Sequence, residues 1–144
     1  MTRITALLGT LAYLVWGYLH IQAGNAVAEL ATRLHQPAMA QARIYQDAWT
    51  LFFAAGIVIL VALISNFKGW TTSYWINLGV AGITDIGFIV LIIVPGREAL
   101  WPGLQGPVAW GVATLFWTWS YLLRKRHTGP NEISLVATHT PTRV

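Results

Sequence analysis

Tyr74 to Val94 reads YWINLGVAGITDIGFIVLIIV, an unbroken apolar run with a single charged residue, Asp85, near its middle. A hydrocarbon core about 30 Å thick takes roughly 20 residues of helix to cross, so the run has the length of one membrane span. A lone strand could not satisfy its backbone in lipid, which leaves the helix. An ionised carboxyl at that depth costs roughly 2.5–3.5 kcal/mol by insertion scales unless it is protonated, paired or facing a polar cavity. Asp85 therefore requires a receiving site inside the protein.

Three further apolar runs flank this one: Ile4 to Ala23, Ala48 to Ile64, and Pro107 to Leu123. Breakers separate them. Ser65, Asn66, Lys68 and Gly69 divide the second run from the third, and the stretch from Pro95 to Pro107, with four Gly or Pro residues besides those two, divides the third from the fourth. The connection from Gly24 to Asp47 is different, being rich in Ala, Gln, Leu and Arg, all good helix formers. It predicts that the first two helices extend beyond the hydrocarbon, with Pro37 at the start of the second. The expected fold is all-α, an antiparallel four-transmembrane-helix bundle in one domain, 1–127, with helices at about 4–34, 38–65, 73–95 and 106–125. The polar stretch 128–144 is expected to be a disordered cytoplasmic tail.

Composition supports this reading and removes several chemistries. Of 144 residues, 56% are hydrophobic and 10% charged, the profile of a membrane protein. The net charge of +4 rests on a few basic residues at the ends of apolar runs, which is an orientation signal rather than a nucleic-acid surface. Arg3, Lys68, Arg124, Lys125 and Arg126 fall on one side, against Arg33, Arg43 and Arg97 on the other. Both termini are therefore expected in the cytoplasm, in a multi-pass protein of the cell membrane. Arg3 before an apolar stretch, with Ala26-Val27-Ala28 beyond it, has the outline of a secretory signal, but the run is too long for a signal core. With no cysteine there is no disulfide, thiolate nucleophile or iron–sulfur cluster. No nucleotide-binding glycine motif, metal-ligand pair or serine triad can be assembled, so neither a cofactor nor a metal is expected.

The polar residues are few enough to place by helical periodicity. Tyr18, Gln22, Asn25 and Glu29 form one stripe of the first helix, while His20 shares a different face with Tyr13, Trp16 and Gly24. Arg43 and Asp47 have the spacing of an ion pair on the second helix. Asn77, Ala81, Thr84 and Asp85 share one side of the third. In an antiparallel bundle, His20, Gln22, Asn25 and Asp47 all gather in the outer half, with Asp85 at the midplane below them. The expected shape is an outward-facing polar and aromatic cavity, walled by Trp110 and Trp117, seven residues apart on the fourth helix. Asp85 and His20 are the expected catalytic residues; Tyr18, Gln22, Asn25, Asp47, Asn77, Trp110 and Trp117 are expected to bind substrate. Gly9, Gly17, Gly79 and Gly82 read as close-approach packing positions.

Small multidrug resistance transporters carry a Glu within the first helix, where this chain has His20, and its acid lies in the third run. An intramembrane acid, a histidine and tryptophan walls are similar in chemistry to sterol isomerases, though no motif aligns. Three functions follow from these parts. One is an enzyme that isomerises or cyclises a lipophilic, isoprenoid-like molecule by proton transfer. The second is a proton- or cation-coupled transporter or binding protein, and the third is a structural accessory subunit. The expected partners are membrane lipids and a lipophilic small molecule, with association into a homo-oligomer and no nucleic acid.

Overall fold

The computed structural model describes residues 2–34, 37–68 and 71–127, and among these all regular structure is helical. The expected tail, 128–144, lies outside the described residues. Helix α1 spans Thr2–Arg33, α2 Ala38–Lys68, and α3 Thr71–Phe88. A π-helical turn, Ile89–Ile93, continues α3. After a short turn, α4 (Leu100–Gly103), the chain ends its described part in α5, Gln105–His127.

Three stretches are long and apolar enough to cross a membrane: Arg3–Arg33, Ala38–Ser65 and Thr71–Ile93. Helix α5 is not among them, since its Trp, Gly, Thr and Ser residues dilute its apolar character. At 32 and 31 residues, α1 and α2 are each about 45–50 Å long, well beyond the hydrocarbon thickness. Their surfaces are apolar on the outside as well as within: Leu7, Leu11, Val15, Leu60, Ile83, Leu91 and Leu115 are all exposed.

The long helices pack as a ring in which α1 touches α2 and α5, and α3 touches the same two neighbours. Helices α1 and α3 thus face each other across the bundle axis. Close approach along α1 follows from its glycines. A Cβ at Gly9 would collide with the Trp117 ring, one at Gly17 with Ile59, and one at Gly24 would sit 2.8 Å from Phe52 Cε1. The core that results is aromatic and small: Tyr13, Trp16, Val58, Ala62, Tyr74, Ala81, Ala113 and Trp117. Tyr13 meets Trp117 edge to face at 4.9 Å, and Tyr74 stacks on Tyr121 at 5.5 Å.

The end of the third span is set by Pro95 and Gly96. Pro95 has no N–H to continue the ladder. Gly96, at φ 71°, takes the left-handed conformation that closes a Schellman end, with Arg97 N–H donating to Ile92 O and Gly96 N–H to Ile93 O, both at 2.9 Å. Within the widened turn before it, Val94 N–H reaches back five residues to Ile89 O at 2.8 Å. The α1–α2 hairpin is tied by Gln41 Nε2, which donates to Ala31 O at 2.9 Å and so satisfies a carbonyl of the last turn of α1.

Candidate functional site

Asp85 is fully buried on α3, and the bundle brings two side chains of α1 to it from across the axis. Trp16 Nε1 donates to Asp85 Oδ2 at 2.7 Å. One turn further along α1, His20 Nε2 lies 3.4 Å from Asp85 Oδ1. That separation is one of charge pairing rather than of an aligned hydrogen bond, and Oδ1 has no hydrogen-bond donor among the described residues. The two α1 residues are coupled to each other as well. The imidazole stacks on the Trp16 indole, with centroids 3.8 Å apart and planes 24° apart, and its Nδ1 is 2.9 Å from Trp16 O.

A carbonyl oxygen only accepts, so Nδ1 carries a hydrogen and donates it to Trp16 O. In the neutral imidazole, Nε2 is then the basic nitrogen and faces Oδ1. With one proton between them, the pair is either a neutral imidazole beside a carboxylic acid or an imidazolium beside a carboxylate. Either form has no net charge, which offsets much of the cost of burying an acid.

Helix α5 closes the site with backbone. Gly106 is the residue of closest approach: a Cβ there would lie 2.9 Å from His20 Cε1 and 3.4 Å from Asp85 Oδ1. Pro107 follows in the first turn of α5, where its missing N–H costs no helical bond. One turn along, the edge of the Trp110 ring covers Gly82, where an added Cβ would be 3.0 Å from Cζ2. An open apolar groove of about 490 Å³ runs along the α1–α5 seam between Ala12, Val15 and Leu19 on one side and Gln105, Val108 and Val112 on the other. Leu19 and Gln105 immediately precede His20 and Gly106, so the groove ends beside the couple.

The structure brings together His20 and Asp85 and sets Trp110 one turn below them. Asn77 lies on the same face of α3, fully buried, with Nδ2 donating to Val58 O at 3.2 Å. The remaining expected binding residues are elsewhere. Tyr18 is 59% exposed, and Gln22, Asn25 and Asp47 are exposed too. The stripe expected to face a cavity thus lies on the outer surface of α1, while the face bearing Tyr13, Trp16, His20 and Gly24 points inward. The physical reason is packing: glycines and flat rings let helices approach, and the stripe Tyr18, Gln22, Asn25 and Glu29 is left on the exposed side of α1. Trp117 packs at the other end of the bundle, its Nε1 donating to Ala6 O at 3.3 Å, so the expected wall of Trp110 and Trp117 is divided. Instead of pairing with Asp47, Arg43 donates to Gln46 Oε1 at 2.8 Å, and Glu29 pairs with Arg33 on the exposed side of α1. The described groove is apolar rather than polar.

Trp16 is the site residue that sequence reasoning missed. Its signal was present, since it precedes His20 by four residues on one face. Compared with known protein families, curated proteins and solved structures, the chain matches none.

Proposed function

We propose that this chain is an integral membrane protein of four crossings, with both termini cytoplasmic, and that it isomerises or cyclises a lipophilic, isoprenoid-like molecule by proton transfer. The observation that carries the reading is the His20–Asp85 couple, a proton donor and acceptor 3.4 Å apart in the buried interior, with Oδ1 lacking a hydrogen-bond donor among the described residues. In this reading the substrate's apolar body lies along the α1–α5 groove and its double bond reaches the couple past Gly106. The couple gives its proton to one alkene carbon, leaving a carbocation; loss of a neighbouring C–H proton back to the couple re-forms the double bond one position along. Protons balance, and no oxidant, metal or nucleotide is consumed. The Trp16 and Trp110 rings flank the site, Trp16 stacked on the imidazole and Trp110 edge-on at Gly82.

The test is deuterium wash-in. Purified protein in lipid and heavy-water buffer is incubated with isoprenoid probes such as geranylgeraniol and squalene, and mass spectrometry reads solvent deuterium in recovered material. Incorporation that vanishes in Asp85→Asn is the expected result. The amide oxygen still accepts from Trp16 Nε1, so the variant keeps its fold while losing the acid. Incorporation undiminished in Asp85→Asn would remove the carboxyl from the chemistry.

A second reading is favoured by the Trp16–Asp85 hydrogen bond: Asp85 as a clasp between α1 and α3 in an accessory subunit. It predicts that substitutions at Asp85 change thermal stability alone.

A further inference from the structure

Below Asp85 the interior carries a descending series of polar groups. Helices α3 and α5 run antiparallel with Asp85 level with Gly106, Gly82 with Trp110, and Tyr74 with Thr118. Helix α1 is in register with both, His20 lying at Gly106 and Tyr13 at Thr114. Each level is one helical turn, about 5.4 Å, below the last. At the first level sit His20 and Asp85, and at the second the indole N–H of Trp110. The third has Asn77 with Tyr13 and Thr114, whose hydroxyls are 3.5 Å apart; at the fourth, Tyr74 and Thr118 share a hydrogen bond of 2.9 Å. From Asp85 to Tyr74 is eleven residues of helix, about 16 Å.

Three buried atoms on this line have no hydrogen-bond partner among the described residues: Asp85 Oδ1, Trp110 Nε1 and Asn77 Oδ1. They are one donor between two acceptors. Buried polar atoms without a protein partner are costly, and ordered water is their usual complement. A turn of 5.4 Å is close to two hydrogen-bond lengths, the span that one water bridges. Toward the opposite end the line stops. There Ile89–Ile93 is wholly apolar, and a Cβ at Gly103 would lie 2.8 Å from Ile93 Cδ1, 3.7 Å from the Glu98 Cγ methylene and 3.8 Å from Phe88 Cε1.

We infer that the His20–Asp85 couple exchanges its proton with the aqueous phase at the Tyr74–Thr118 end of the bundle, through waters held by Trp110 Nε1 and Asn77 Oδ1 and through the hydroxyls of Tyr13, Thr114, Tyr74 and Thr118. Trp110 and Asn77 orient water and carry no proton themselves; the hydroxyls and waters pass it on. The ionisable groups along the line are His20 and Tyr13 from α1, Asp85 and Tyr74 from α3, and Tyr121 from α5, which stacks on Tyr74; α5 also contributes Gly106, Trp110, Thr114 and Thr118. The route rests on the functional reading and deepens it by naming how the couple's proton is replaced by one from solvent, the replacement that deuterium wash-in requires. Its readout needs no turnover, so either can fail alone.

The full chain in liposomes is moved from light to heavy water, and infrared bands of the shared proton, identified by their loss in Asp85→Asn, are followed in time. Trp110→Phe removes the N–H and keeps an aromatic ring at that level; Thr114→Val and Asn77→Leu remove the next groups down. Each is expected to slow exchange by about tenfold or more, the scale of one lost hydrogen-bonded link. Thr84→Val, off the line, leaves the rate unchanged. Thr84 Oγ1 donates within its own helix, to Val80 O at 2.8 Å. Equal exchange rates in Trp110→Phe, Thr114→Val and the parent would overturn the route and place proton entry at the exposed edge of His20. Should Asn77→Leu unfold the chain, the two near-isosteric variants decide.

Discussion

At the scale of single residues, Trp16 and Gly106 are as telling as the acid they surround. Trp16 satisfies Oδ2, stacks on the imidazole and, through its carbonyl, fixes which ring nitrogen faces Asp85. Trp16→Phe keeps the stacking and the carbonyl but removes the donor. It is expected to lower stability by about 1–3 kcal/mol, the cost of stranding a buried acceptor, as a drop in Tm in detergent. Gly106 acts by having no side chain. In Gly106→Ala the added methyl meets the imidazole at 2.9 Å, so the ring must move away from Asp85. Deuterium wash-in is expected to fall up to about 100-fold, because proton transfer is sensitive to misplacement on the order of 1 Å. Wash-in at parental level in Gly106→Ala would mean that the couple tolerates separation and that its close contact is incidental.

At the scale of helices, the glycines divide into those that set interhelical distance and those that do not. Gly17 faces Ile59 so closely that Gly17→Ala must displace a side chain in the α1–α2 seam, whereas a Cβ at Gly56 meets nothing within 4 Å. Thermal unfolding is expected to show Gly17→Ala destabilised by about 1–3 kcal/mol from overpacking. Gly56→Ala should be neutral or stabilised by up to about 1 kcal/mol from helix propensity. Equal shifts for the two would mean that the seam is loose. The widened turn at Ile89–Ile93 begins four residues after Asp85, and such turns recur near functional sites. Its closure depends on Gly96 at positive φ, where an alanine would be strained.

At the scale of the whole molecule, element positions were legible in the sequence and their inward faces were not. Lengths and breaks are local properties: apolar runs of about 20 residues, Pro95, Gly96 and the helix-forming connection after Gly24 each speak for themselves. Asp85 stood out for the same reason. The face of α1 that turns inward is a relational property, and the guide used in water fails here. The exposed surface is as apolar as the core, so polarity does not mark the outside, and small or flat residues choose the contact instead. Tyr18 and Gln22 were therefore assigned to the interior and lie on the surface, while Trp16 was passed over as one more tryptophan. The proposed topology has its own check, aided by the lack of native cysteine. Asn25 and Thr71 are both exposed. On intact cells a membrane-impermeant maleimide is expected to label Asn25→Cys and to spare Thr71→Cys until the membrane is opened; the reverse pattern would invert the orientation.

The central claim is that a proton passes between His20 Nε2 and Asp85 Oδ1 while Nδ1 donates to Trp16 O. Nitrogen-15 NMR of His20 in the protein reconstituted in liposomes reads both ring nitrogens directly. The predicted result is an Nδ1 signal of a protonated nitrogen, with an Nε2 signal that shifts when Asp85 is changed to Asn. A bare Nδ1 with a fixed N–H at Nε2, or an Nε2 signal indifferent to Asp85, would contradict it.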